Sequence, residues 1–288
     1  VMKYTSVSSI WICFFILIGC VKKHDFPVLK GPYLGQESPG RSPRVFAPGI
    51  VSTEEYEEFG CTMPPDGREF FFTRTYVEPR RHTIMVCRLE ENGWTAPEIA
   101  PFSGEHSEAE PNFSPDGSRL FFGRPESGIW MMERTPSGWS EPRHLMLGMF
   151  ATISDSDVLY YTDISKGMDT CDIVRSRFVD SRSQEPKALT GSLNSPYKDA
   201  HPYVAPDERY IIFDSNRPGG MGGNDLYISF RDSEDSWGEA VNLGEKINSP
   251  EHEQIPFVSP DGKFLFYSNG EDIYWVDAKI IEELKPLQ

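Results

Sequence analysis

An all-β fold is predicted, a single β-propeller of five four-stranded blades. Three observations carry it. A Pro-Asp-Gly-type turn recurs five times along the 288 residues, and an apolar triplet follows each copy. The 24 Gly and 24 Pro accompany 19 Phe, 12 Tyr and 6 Trp, a composition that suits short strands joined by tight turns.

The turns come first. Met63-Pro64-Pro65-Asp66-Gly67 precedes Phe70-Phe71-Phe72, and Phe113-Ser114-Pro115-Asp116-Gly117 precedes Leu120-Phe121-Phe122. Val204-Ala205-Pro206-Asp207 precedes Ile211-Ile212-Phe213, and Val258-Ser259-Pro260-Asp261-Gly262 precedes Leu265-Phe266-Tyr267. A worn copy, Ile153-Ser154-Asp155, precedes Leu159-Tyr160-Tyr161. With turn aspartates at 66, 116, 155, 207 and 261, the period is about fifty residues, the mark of a repeat architecture. Proline presets φ, aspartate bonds back to the backbone and glycine takes positive φ, so each copy joins two strands in a hairpin.

The triplets come next. All fifteen residues are apolar or aromatic, and the third column is aromatic throughout: Phe72, Phe122, Tyr161, Phe213 and Tyr267. Such runs suit strands covered on both faces. A third strand follows at Ile84-Met85-Val86, Ile129-Trp130-Met131, Ile173-Val174, Leu226-Tyr227-Ile228 and Ile273-Tyr274-Trp275. A fourth element carries Trp-x-x-Pro at Trp94 to Pro97 and Trp139 to Pro142, altered at Trp237 to Ala240 and reduced to Pro186 in the worn unit. The last unit lacks it. Pro43-Arg44-Val45-Phe46 is similar to Pro142-Arg143-His144-Leu145, so the N-terminal strand is expected to complete the last blade and close the ring. A six-bladed ring is the alternative and needs one more blade, too degenerate to see.

The N-terminus carries an address. Lys3 is the only charge among the first nineteen residues, and Ile10 to Ile18 is an apolar run too short for a bilayer, as in a secretory signal. Leu17-Ile18-Gly19-Cys20 resembles the bacterial lipobox, which implies cleavage before Cys20 and lipidation of its sulfur. The expected organisation is a signal peptide over 1–19, a lipidated cysteine and Pro/Gly-rich tether over 20–42, and the propeller over 43–288. Val21 and Lys22 stand where many inner-membrane lipoproteins carry a retaining Asp. The resemblance therefore favours the outer membrane, facing the periplasm or the surface.

The propeller motifs resemble the TolB-like β-propeller repeat of the bacterial envelope. The residues concerned are Ser259-Pro260-Asp261-Gly262, Asp272-Ile273-Tyr274 and the loop and strand Asn216 to Tyr227. The resemblance implies the fold. For function it implies a range: periplasmic interaction platforms, peptidase-attached domains and carbohydrate-active enzymes.

Charge and motifs narrow that range. The 28 Lys+Arg and 44 Asp+Glu make a formal net charge of −16, which excludes nucleic acid as a partner. An acid stands eight positions before the turn Asp in four units, at Glu58, Glu108, Asp199 and Glu253, with Leu147 in the worn unit. These carboxylates are expected to ring one mouth of the central channel. One reading is a site for a hard cation such as Ca²⁺ or for a cationic ligand. The other is that each caps backbone N–H groups in its own blade. Glu110 and His201, six before their turn Asp, break the symmetry there and are candidate ligand residues.

The six histidines lack zinc-site spacing, and surface positions are expected for them. No cofactor is implied. Cys61, Cys87 and Cys171 form no Cys-x-x-Cys pair and read as small buried hydrophobes. Gly219 to Gly223 is followed by a strand and no Gly-Lys-Ser/Thr, so it is a loop and not a phosphate cradle. Trp94 and Trp139 recur with the repeat and are expected to pack. No Gly-x-Ser-x-Gly elbow is present. The expected function is a lipid-anchored, monomeric, non-enzymatic platform for an envelope protein or peptide. The alternative is a glycoside hydrolase or polysaccharide lyase using channel-mouth carboxylates such as Glu108 and Glu253.

Overall fold

The computed structural model describes residues 26–233 and 236–285. Cys20 and the signal segment lie outside the described residues. Five antiparallel sheets are arranged radially around one axis, as predicted. The innermost strands are Glu57–Thr62, Ala109–Phe113, Met149–Ile153, Asp199–Val204 and Gln254–Val258. Second strands follow at Glu69–Val77, Arg119–Arg124, Val158–Asp163, Tyr210–Ser215 and Phe264–Ser268. Third strands are Arg80–Glu90, Gly128–Thr135, Asp172–Val179, Asp225–Ser233 and Ile273–Asp277. The outer strands of blades 1 to 4 are Glu98–Ile99, Arg143–Met146, Lys187–Ala188 and Val241–Asn242. Short hairpin extensions such as Gly93–Trp94 and Gly138–Trp139 prolong the third strand beyond them.

The turns work as the residue types dictate. Asp66, Asp116, Asp207 and Asp261 each accept the backbone N–H two residues on. Ser114, Ser154 and Ser259 cap the start of the next strand, accepting N–H from Arg119, Val158 and Phe264. The worn turn differs by one residue from the sequence expectation. Ser154 is the capping serine, so Asp155 holds the proline place and Ser156 the aspartate place. Asp157 and Glu208 take the glycine place in blades 3 and 4 with φ of 56° and 58°.

The apolar columns form the core. None of the fifteen residues is more than 5% exposed. Side chains alternate across a strand, so the columns face opposite neighbours. Phe121 packs toward blade 3 with Leu159, Tyr161 and Phe178, whereas Leu120 and Phe122 pack toward blade 1 with Phe71 and Ile84. Each such side chain stabilises the fold by roughly 1.5–3 kcal/mol when buried.

Ring closure follows the expected register. Arg44–Val45 pairs with blade 5, Arg44 opposite Trp275 and Val45 opposite Tyr274. Phe46 is fully buried, its ring 4.7 Å from Phe70 of blade 1 and 5.1 Å from Phe266 and Trp275 of blade 5. The expected tether is not loose over its described part. Trp94 donates its backbone and indole N–H to Leu29 and Gly31, Tyr33 donates its hydroxyl to Asp261 at 2.6 Å, and Asp277 N–H bonds Gly40. Tyr33 and Leu34 are buried against the same core. Trp94 is buried in that packing, Trp237 is buried against Tyr160, and Trp139 lies against Phe113 and Arg134. The three cysteines are free and buried. Burial pushes the Cys87 thiol up to about 12 and the Cys171 thiol to about 11.

Candidate functional site

The acids at the start of the inner strands are built into loops. Glu58 accepts Thr53 N–H and hydroxyl at 3.0 Å each. Glu108 accepts the Ser103 hydroxyl and Gly104 N–H. Asp199 accepts Ser195 N–H and hydroxyl, and Glu253 accepts Ser249 N–H and hydroxyl. All four carboxylates are buried. Three carry an arginine from the same blade: Arg74 on Glu58 at 2.8 Å, Arg124 on Glu108 at 3.2 Å and Arg217 on Asp199 at 2.6 Å. The equivalent of these acids in blade 3 is Gly148, since Met149 opposes Thr162 as Ala109 opposes Gly123. Leu147, expected there, is exposed. Among the described residues, no group of three or more His, Cys, Asp or Glu could hold a metal ion.

The axis is occupied one layer deeper. Each inner strand bulges, and the bulge residue takes left-handed φ: Gly60 at 52°, Glu110 at 59°, Phe150 at 46°, His201 at 49° and Ile255 at 57°. These five converge. A β-carbon on Gly60 would meet Glu110 Cα at 3.3 Å and Glu110 Cγ and Ile255 Cγ2 at 3.5 Å, so these bulges crowd one point on the axis. Hydroxyls and one carboxylate on the second strands hold the bulges from the preceding blade. Thr73 accepts Glu110 N–H, Thr162 accepts His201 N–H and Asp214 accepts Ile255 N–H.

Asp214 is the charged member of that set, and it organises an ion triad. Its Oδ1 lies 2.6 Å from His201 Nδ1, and its Oδ2 accepts Asn224 Nδ2 at 3.2 Å. His201 Nε2 faces Glu110 Oε1 at 3.5 Å, and Phe150 meets the imidazole edge-on at 5.5 Å. Burial alone would drive the His201 pKa down. Asp214 first and Glu110 second outweigh it and push the pKa up to about 9. The ring is therefore an imidazolium with both N–H groups engaged. His201 is thus a buried axial residue and not a surface histidine.

The sequence reading singled out Glu110 and His201 and missed Asp214, Asn224 and the arginines. A signal existed for Asp214 and for two of the arginines. Asp214 follows the third column where Thr73, Gly123, Thr162 and Ser268 stand in the other units. Arg74 and Arg124 each lie sixteen residues after their acid.

Beside Glu110, a cavity of about 200 Å³ opens among blades 1, 2 and 3, bordered by Phe59, His82, Met149 and Met168. At the opposite mouth, a depression of about 190 Å³ is rimmed by Pro65, Pro115, Pro206 and Pro260 of the turns.

No family profile and no curated protein matches the sequence. The fold does match solved structures. The catalytic domain of a GH62 α-L-arabinofuranosidase from Coprinopsis cinerea superposes with a TM-score of 0.53 at 12% identity, over 83% of this chain and 97% of that one. An endo-arabinase from Bacteroides thetaiotaomicron gives a TM-score of 0.53 at 14% identity, over 79% and 95%. At such identity the likeness is one of fold. The chain is a β-propeller.

Proposed function

We propose that this protein is a lipid-anchored TolB-like propeller of the bacterial envelope, a non-enzymatic platform that binds another envelope protein or a peptide at a channel mouth. One observation carries the reading. On the axis, the His201 ring bridges Glu110 and Asp214, with Asn224 and Ile255 N–H completing Asp214. The described acids of the mouth are bound by their own loops, three of them also by arginines. Hydrolysis of a glycosidic bond needs two carboxyl groups flanking an accessible bond, and an imidazolium bridges the axial pair instead. The lipobox-like Leu17-Ile18-Gly19-Cys20 supplies the anchor in this reading. In-cell crosslinking followed by pull-down of the full chain tests it. A discrete envelope protein is the expected capture, and recovery of none sinks the platform.

The two fold neighbours that act on arabinose-containing substrates favour a second reading, in which Glu110, beside its cavity, serves a carbohydrate-active site. Glu108 is a weaker choice for that role, because Arg124 and Ser103 hold it. A panel of arabinans and arabinoxylans separates the readings. Turnover by the native protein that disappears in Glu110→Gln supports the enzyme; no turnover supports the platform.

A further inference from the structure

Three blades share an arrangement of carboxylate, guanidinium and aromatic rings. In blade 1, Arg74 binds Glu58 with its guanidinium 5.5 Å from the Phe72 ring and 4.8 Å from Tyr56. In blade 2, Arg124 binds Glu108 and lies 5.8 Å from Phe122 and 3.9 Å from Trp130. In blade 4, Arg217 binds Asp199 and lies 5.2 Å from Phe213 and 4.9 Å from Tyr227. The carboxylate supplies charge-assisted hydrogen bonds, and the ring faces supply cation–π attraction.

Blade 5 keeps the carboxylate and both rings and, among the described residues, lacks the cation. Glu253 is the acid. Tyr267 is the third-column ring, and Tyr274 opposes it across the strands as Trp130 opposes Phe122 and Tyr227 opposes Phe213. The tyrosines stack with centroids 5.8 Å apart at 18°, close to the 6.0 Å and 27° of Phe213 and Tyr227. Sixteen residues after Glu253 stands Asn269, where blades 1 and 2 have arginine. Its side-chain oxygen accepts Glu271 and Asp272 N–H, so it is committed to a turn. The place left over opens into a cavity of about 430 Å³, bordered by Glu253, Tyr267, Asn269 and Tyr274. Glu253 is 2% exposed, and burial raises its pKa with no arginine to oppose it.

We propose that this cavity receives a guanidinium from outside, an arginine side chain of the partner filling in blade 5 the space that blades 1, 2 and 4 fill with their own. This rests on the platform reading and names the partner chemistry: a basic segment carrying arginine. The flat, weakly hydrated guanidinium suits two ring faces and one carboxylate better than an ammonium does. Glu245 and Glu251 on the rim, and the net charge of −16, add attraction for a basic segment. Lys246 on the rim is exposed and is the competitor within the chain.

Calorimetric titration of the full-length protein tests this. The probes are the peptide acetyl-Gly-Ser-Arg-Ser-Gly-amide, its neutral citrulline twin and free arginine. Saturable binding of the arginine peptide is expected, with at least a tenfold loss for citrulline and for the Glu253→Gln variant. Asn269→Arg, which supplies a guanidinium in place, should show the same loss, and Lys246→Ala should tighten binding. Equal binding of the arginine and citrulline peptides overturns the proposal. So does unchanged binding by Glu253→Gln with a native circular dichroism spectrum. Free arginine binding as tightly as the peptide assigns the pocket to a small cation and overturns the protein partner. A crosslinked envelope protein whose capture survives Glu253→Gln sinks the arginine pocket and leaves the platform standing.

Discussion

Glu108 and Glu253 occupy equivalent places and should answer oppositely to neutralisation. Glu108→Gln leaves Arg124 beside a neutral amide in a buried setting, and a loss of about 1–3 kcal/mol is expected from urea denaturation. Glu253 has no arginine, and its pKa is raised above the unfolded value. The stability it contributes is present below the unfolded pKa and lost as pH rises, so at neutral pH the charge is a cost. Glu253→Gln can still accept Ser249 N–H and donate to the Ser249 hydroxyl, and unchanged or increased stability at pH 7 is expected. His201 sets the alkaline limit. Its pKa is about 9 in the fold, against about 6.5 for an ordinary imidazole. The triad therefore contributes fully below about pH 6.5 and is lost as pH rises through 9, on the order of 3 kcal/mol. Melting temperature followed from pH 6 to 10 should fall along this window, and a His201→Gln variant should lack that part of the slope. A wild-type profile matching the variant's would show that the imidazole is neutral.

At the scale of elements, the turns differ in how much their glycine matters. Gly67 and Gly117 both have positive φ, at 64° and 70°. A β-carbon on Gly67 meets nothing within 4 Å, whereas one on Gly117 meets Pro65 Cδ of the neighbouring turn at 2.8 Å. Gly67→Ala should cost about 1 kcal/mol from backbone conformation alone, and Gly117→Ala about 2–3 kcal/mol once the contact is added. Equal urea midpoints for the two variants would remove the inter-blade contact from the account. These turns were legible because Pro, Asp and Gly each act locally. The worn turn was misplaced by one residue because Asp155 imitates the motif's aspartate. In the fold it holds the proline place, and Asp157 takes the left-handed position with φ of 56°.

For the whole molecule, closure rests on a short strand and one ring. Arg44–Val45 supplies the outer strand of blade 5, and Phe46 fills the space between blades 5 and 1. Phe46→Ala should cost about 3–5 kcal/mol by cavity formation, read as a lower melting temperature. It should also expose blade 5 to limited proteolysis before the rest. The docked stretch from Leu29 to Gly40 went unforeseen, because its prolines and glycines read as linker while its bonds to Trp94, Asp261 and Asp277 are far away in sequence.

The repeat, four of the five turns, the buried columns and the closing strand were determined by sequence alone, and the structure settled five blades over six. Each is a short-range pattern written five times, and agreement among copies removes the ambiguity of any one. The tertiary structure decided what meets on the axis. Glu110, His201 and Asp214 belong to blades 2 and 4 and come together only when the ring closes and the bulges aim side chains at one point. It also decided that the mouth acids serve their own loops, and that blade 5 alone among the acid-bearing blades keeps its carboxylate without an arginine. Each depends on the distance between groups, which a repeat pattern does not encode.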